Sequence, residues 1–176
     1  MDTQPEPTLV EFIRYNNWAN QQVLAACKDL SESQLAATTP GAYGSIRATL
    51  QHLLQAEADY VDRMTGAGPR PSFHWDDGPS VAEMSAFAAR VGEALLDTVQ
   101  RVRPTDQVRE EWQGKQTHYQ ARALFIQVID HGIEHRTNIT TILNSERQSP
   151  PEVDGWAYLW AHPDRFEAER DRAAGD

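Results

Sequence analysis

The chain has 176 residues, and its 26 acidic and 16 basic residues give it a formal net charge of −10 at pH 7. A surface with this charge repels phosphate backbones, and no lysine- and arginine-rich run is present, so the composition argues against nucleic-acid binding. Cys27 is the only cysteine, which excludes a disulfide within the chain and fits a reducing compartment.

The N-terminal segment, MDTQPEPTLVEF, has neither the basic region nor the apolar region of a signal peptide. No later stretch is apolar over the length that a membrane span requires. We therefore expect a cytoplasmic protein that has no membrane partner.

Long stretches without proline carry apolar residues at helical spacing, and they predict four helices. Ser31 with Gln34, and Ser80 with Glu83, have the spacing of a capping box. The first of these predicts a short extra turn, and the second predicts the start of the third helix. The four predicted helices run over residues 9–28, 45–64, 80–102 and 121–144.

The segments around the last long helix have different patterns. Residues 106–119 lack a helical period and contain a glycine in the middle, which favours a small hairpin or an irregular connection. Residues 154–166 are rich in aromatic side chains and predict a short turn. Four amphipathic helices joined by short to medium loops predict an all-α protein built as a four-helix bundle. We expect one domain over residues 1–165 and a charged tail over residues 166–176.

His131 and His135 stand four residues apart on the predicted fourth helix, in line with Val128 and Ile139. Residues at this spacing share one face of a helix, so both imidazole rings can reach one point. In a dry core each ring needs partners for both nitrogens, and a shared metal ion gives one partner to each ring. Two hydrogen-bonded core histidines are the alternative.

His52 is the candidate for a third ligand. It lies midway along the predicted second helix, on the flank of the apolar face. Taken by itself, it is typical of a residue at the boundary of the core. As one of three it completes a metal site, because such sites in helical bundles draw ligands from facing helices. His74, His118 and His162 lie outside the predicted long helices and are expected at the surface.

Several blocks of the sequence resemble the DinB/YfiT-like superfamily. They are YNNWANQQVLAA at 15–26, SIRATLQHLLQAEADYV at 45–61, VIDHGIEHRTNITTIL at 128–143 and the following DGWAYLW at 154–160. Their order and distances match the family, and the resemblance covers residues 9–160. It implies a four-helix bundle with up-down-down-up connectivity. Since members are often homodimeric, it also implies a homodimer as a candidate assembly.

The resemblance further implies a metal ion on three histidines, one from the second helix and an H-x-x-x-H pair from the last. In this chain those positions are His52, His131 and His135. Two neighbouring positions depart from the family pattern, since Glu134 stands where relatives often have another histidine and Asn138 stands where glutamine is frequent. The best understood relatives are transferases and isomerases that use low-molecular-weight thiols.

Three imidazoles leave a divalent ion with at least one open position, which is typical of catalytic sites. Zinc is the default ion, and nickel also suits imidazole. Such an ion would acidify a thiol or water bound to it. We therefore expect a metal-dependent transferase that joins a low-molecular-weight thiol to a small electrophile. A metal-dependent hydrolase, or a non-catalytic stress-response protein that binds a metal or small ligand, is the alternative.

Four further residues are candidates for contacts with the metal ligands or the substrate. Asp130 and Glu134 flank the histidine pair, and Asp130 could accept a hydrogen bond from an imidazole. A solvated helix face is the alternative for both acids. Asn16 and Asn20 could contact the substrate or hold His52, and buried amides paired with the backbone are the alternative for these two residues.

Overall fold

Four long helices form most of the structure, a computed structural model that describes residues 7–166. Each long helix lies within two residues of its predicted bounds. Of the predicted tail, residues 167–176 lie outside the described residues. The elements in chain order are α1 (Pro7–Ala26), α2 (Glu32–Leu35), α3 (Ile46–Thr65), α4 (Val81–Arg101), β1 (Gln107–Trp112), β2 (Lys115–Gln120), α5 (Arg122–Ser145) and α6 (Gly155–Ala161), with short 3-10 turns at Trp75–Asp77 and Pro163–Arg165.

Side-chain caps fix where several helices begin. The hydroxyl of Ser80 accepts a hydrogen bond from the backbone N–H of Glu83, whose carboxylate bonds back to Ser80. This reciprocal capping box satisfies two amide groups that the first turn of α4 would otherwise leave unpaired. Ser31 caps α2 in the same way with Gln34. Both predicted capping boxes are therefore confirmed.

The long helices enclose a common apolar core. Helices α1 and α3 each pack against both α4 and α5, so every long helix has two neighbours. Burial of these aliphatic and aromatic side chains supplies the main favourable free energy of folding. Fully or almost fully buried members of the core include Ile13, Val23, Leu50, Leu54, Met84, Phe87, Leu95, Val128 and Ile139. The all-helical class is confirmed apart from a small sheet, and the up-down-down-up connectivity stays a prediction.

A two-stranded antiparallel hairpin connects α4 to α5. Strands β1 and β2 pair from Gln107 with Gln120 to Trp112 with Lys115. The two turn residues, Gln113 and Gly114, both have positive φ, at 51° and 73°, as a tight two-residue hairpin turn requires. The predicted hairpin is therefore confirmed.

Helix α6 returns the chain to α1. The hydroxyl of Tyr158 donates to the carboxylate of Glu11 at 2.6 Å, and Arg165 donates to the same carboxylate at 2.9 Å. These bonds, with that from Arg165 the strongest influence, lower the pKa of Glu11 to about 2. The aromatic segment that was predicted as a short turn forms the short helix α6, and hydrogen bonds link this part of the chain to α1. Within residues 7–166, no helix combines the length and the apolar character needed to cross a membrane.

Candidate metal centre

Three histidine side chains from two helices meet inside the structure. His52 comes from α3, whereas His131 and His135 come from successive turns of α5. The Nε2 atom of His131 lies 3.0 Å from the Nε2 atom of His52 and 3.0 Å from that of His135. His131 and His135 are buried, and His52 is partly exposed. These three residues could hold one metal ion.

Hydrogen bonding accounts poorly for this arrangement. A neutral imidazole nitrogen carries one proton or one lone pair, so the Nε2 atom of His131 cannot make a full hydrogen bond to both of its neighbours at once. A cation accounts for all the Nε2 atoms together, because each lone pair can point at it. Two nitrogens bound at about 2.1 Å to one ion lie about 3.0 Å apart at a right angle and about 3.4 Å apart at a tetrahedral angle. The observed spacing therefore fits a shared ion.

Burial keeps His131 and His135 in the neutral form that binds metals. Burial, and then the neighbouring His135 and His52, lower the pKa of His131 from 6.5 to about 4. Burial and then His52 also lower the pKa of His135. Neutral rings have a free lone pair at neutral pH, so metal binding does not have to displace a proton from these two residues.

Two tyrosines flank the three histidines. The ring of Tyr43 stacks on His52 at 4.4 Å between centroids and meets the edge of His135 at 4.8 Å. The backbone N–H of Tyr43 donates to the side chain of Asn138, which ties the loop before α3 to α5. Tyr60 meets the ring of His131 edge to face. Tyr43 was not among the sequence candidates, because a loop residue has no periodic pattern that indicates which ring it will cover.

A cavity of about 440 Å³ opens beside His52. Tyr60 and Arg63 from α3 line one side, and Trp75 and Phe87 provide an apolar wall. A cavity of this size can hold a small organic molecule next to His52, the one histidine of the three that lines it. The aromatic side chains near the C-terminus do not reach it, since Trp156 and Trp160 line a separate cavity against α1.

The other candidate residues lie in two different environments. Asp130 and Glu134 are exposed on α5. The Nδ1 atoms of His131 and His135 are buried and have no hydrogen-bond partner, so neither acid holds these rings. Asn16 is fully buried and Asn20 nearly so, and both bond to the carboxylate of Glu57 rather than to His52.

Glu57 and Arg136 were not among the candidate residues. Both are buried, and burial raises the pKa of Glu57 while the hydrogen bonds from Asn16 and Asn20 lower it. The sequence does contain a signal for Glu57, because it lies three residues after Leu54 on the apolar stripe of α3. An acid on such a stripe predicts a buried polar partner, but the partner's identity depends on the packing of other helices.

Comparison with known proteins agrees with this architecture. A model of the DinB family matches residues 1–171. Among solved structures, the chain is similar to the crystal structure of a DinB-like protein from Bacillus cereus ATCC 10987, with a TM-score of 0.62 and 16% sequence identity. The match covers 87% of this chain and 100% of that one, and at this identity it shows a shared fold. No curated protein matches the sequence.

In the metal-free protein, we expect the free energy of unfolding to fall as the pH is lowered from about 6.5 to about 4. The unfolded chain protonates His131 in this range, whereas the folded protein resists protonation because the pKa of His131 is lowered to about 4. The stabilising contribution is therefore complete above pH 6.5 and is lost below it. Urea denaturation in the presence of a chelator measures this dependence, and His131→Gln should make it shallower. An equally steep dependence in the variant would contradict the assignment.

Proposed function

The chain belongs to the DinB family, and from that premise we propose that it is a metal-dependent enzyme that joins a low-molecular-weight thiol to a small electrophile. His52, His131 and His135 would hold one divalent ion, either zinc or nickel, since imidazole suits both. The observation that carries the proposal is the convergence of three imidazole nitrogens beside an open cavity.

The three proposed ligands are neutral, so they do not offset the charge of the ion. A divalent ion held by these residues would lower the pKa of a bound thiol or water molecule. Aromatic residues of the chain would form the surroundings of the ion and of the electrophile. The ring of Tyr43 packs against both His52 and His135. Trp75 and Phe87 offer an apolar wall against which an electrophile can pack.

The state of Cys27 supports the use of an external thiol. It is the only cysteine, it is fully buried, and burial raises its pKa to about 12. A thiol with this pKa is protonated at neutral pH and is a poor nucleophile. The sulfur that attacks an electrophile must therefore come from a second substrate. In this reaction the thiol would give its proton to water, its sulfur would form a new bond to carbon, and the leaving group would depart with the electron pair of its former bond to carbon.

The apolar face of α1 and α5 supports a proposal about assembly, namely that two copies pair through it. Phe12, Ile126 and Ile133 are 50%, 66% and 46% exposed along one groove. Arg122 and Asp130 flank Ile126 at four residues on either side, and all three line that groove. A twofold axis at Ile126 would run the two α5 helices antiparallel and set Arg122 of one copy against Asp130 of the other. The groove is therefore self-complementary in charge as well as apolar.

Removal of a ligand should abolish metal binding. We expect His52→Ala and His135→Ala to lose most of the bound divalent metal after dialysis, because two imidazoles bind far more weakly than three. Elemental analysis of the purified proteins measures the stoichiometry. His74→Ala is the matched control, since His74 is exposed and lies outside the site. Full metal retention in both ligand variants would refute the site.

Conjugation of thiols should require the same residues. We expect the metal-loaded protein to accelerate the reaction of at least one low-molecular-weight thiol with a chromogenic electrophile, and His135→Ala to lose this acceleration. Cys27→Ala should retain it, because the buried thiol takes no part. Turnover of esters or amides without any thiol effect would replace the proposal with hydrolysis. If neither class of substrate reacts, the protein is a binding protein.

Charge reversal should test the pairing of two copies. We expect Arg122→Glu to shift a dimer toward monomer, because it sets two acidic residues against each other, and Arg122→Glu combined with Asp130→Arg to restore the dimer. Ile126→Glu should also give monomer, and Trp156→Glu, on a different exposed surface, should not. Sedimentation velocity at micromolar concentration distinguishes the two states. A monomeric wild-type protein would contradict the proposal.

A further inference from the structure

A polar cluster, which we call the amide bridge, crosses the helical core; it consists of Asn16, Asn20, Glu57 and Arg136. The side-chain amides of Asn16 and Asn20 donate to the carboxylate of Glu57 at 2.7 and 2.9 Å. The Nη1 atom of Arg136 donates to the amide oxygens of both asparagines at 2.7 Å. Two residues of α1 therefore join a buried acid on α3 to a buried base on α5.

The amide bridge is sealed from solvent. None of its four residues exposes more than 3% of its surface. Gly132 makes room for it on α5, because a Cβ atom at this position would collide with the Asn16 amide oxygen and would lie 2.7 Å from the Nη1 atom of Arg136. The carboxylate of Glu57 and the amide oxygens of both asparagines are paired, since an unpaired group at this depth would cost its full desolvation free energy. Within the bridge, the Nη2 atom of Arg136 is buried and has no hydrogen-bond partner. The bridge therefore allows few alternative placements of these helices.

The members of the bridge lie close in sequence to the three histidines. Arg136 directly follows His135, and Glu57 follows His52 by five residues on α3. In many metal sites a hydrogen bond to the second ring nitrogen orients each histidine. Here the Nδ1 atoms of His131 and His135 have no such bond. Their orientation must therefore come from packing and from the placement of α5 against α3.

We propose that the amide bridge positions His52 relative to His131 and His135, so that the three imidazoles converge before any metal binds. Glu57 fixes the rotation of α3 about its axis and the position of α3 along that axis. Arg136 fixes the same two quantities for α5, and the asparagines of α1 set the distance between α3 and α5. The four residues are positioning residues, since they act on the site through the helices that carry the ligands. This inference rests on the metal site of the proposed function.

A purely stabilising role explains the bridge less well. Buried ionic groups can often be replaced by well-packed apolar residues without loss of stability, because desolvation offsets their attraction. Their best supported use is to select one register of packed helices. The metal ligands lie on the two helices that the bridge joins, and a metal site responds to shifts in helix register that the overall fold tolerates.

The test compares a broken bridge with a rebuilt one. The amide of Asn20 also donates to Oε2 of Glu57 at 3.0 Å. Glu57→Gln can keep its oxygen at the Oε1 position, but its new NH2 group then faces the amide donor of Asn20, which breaks the pattern of donors and acceptors. Adding Asn20→Asp restores it, because the new carboxylate accepts from both the introduced glutamine and Arg136. We expect Glu57→Gln to bind cobalt about tenfold more weakly, as in other losses of groups that orient metal ligands, and the double variant to recover most of this affinity. Competition with a chromophoric chelator measures binding, and the visible spectrum of bound cobalt reports the ligand geometry.

Thr98→Val is the matched control for buried polar groups. Thr98 is 1% exposed on α4, bonds to Ala94 and lies outside the bridge. We expect it to bind cobalt like the wild type at a temperature where both are folded. Equal affinity in folded Glu57→Gln and wild type, or an equal loss in Thr98→Val, would overturn the positioning role. If Glu57→Gln does not fold, Asn16→Ser, which removes only one of the two amides, takes its place.

The metal-free protein provides an independent measurement. The ring centroids of His52 and His131 are 5.0 Å apart, so their ring protons should give nuclear Overhauser effects in the wild-type apoprotein. We expect these effects to weaken in Glu57→Gln and to return in the double variant. A wild-type protein that binds no cobalt would refute the proposed function, and this measurement would then decide the positioning role by itself. Unchanged effects in folded Glu57→Gln would overturn that role.

Discussion

The candidate metal site depends on how two separate helices pack, because its three imidazole nitrogens come from both of them. His131 and His135 are neighbours because residues four apart lie on one face of a helix. His52 reaches them only if α3 and α5 pack with one particular rotation and one particular offset along their axes. Nitrogen separations of 3.0 Å leave little room for sliding between these helices. The packing of the whole core is therefore subject to a geometric condition that apolar contacts alone specify only loosely.

Electrostatics are consistent with this geometry. His131 and His135 are neutral because burial lowers the pKa values of both side chains. Glu57 is the nearest buried acid in sequence to His52, yet its carboxylate is occupied by Asn16 and Asn20. Its charge is opposed by Arg136 across the same amides. Because the Glu57 carboxylate is bound by these amides, the imidazoles are the only proposed ligands of the ion.

Local patterns were sufficient to predict much of this structure. Helical spacing and capping boxes gave the long helices, and the four-residue spacing put His131 and His135 on one buried face. The sequence pattern alone did not predict that His52 lies beside this pair, because its position depends on how α3 packs against α5. The family resemblance supplied that information. Glu57 was recognisable as an acid on an apolar stripe, but its partners come from distant parts of the chain. Tyr43 was not predictable, since its contact with two imidazoles follows from the path of a loop.

The burial of Cys27 has a consequence for the proposed reaction with electrophiles. Reactive compounds alkylate accessible thiolates, and an enzyme with such a group near its surface would be inactivated by its own substrates. The single sulfhydryl of this chain is sealed between packed side chains and stays protonated. The folded protein should therefore resist inactivation through this thiol, and the rate at which Cys27 reacts would be set by how often the core opens.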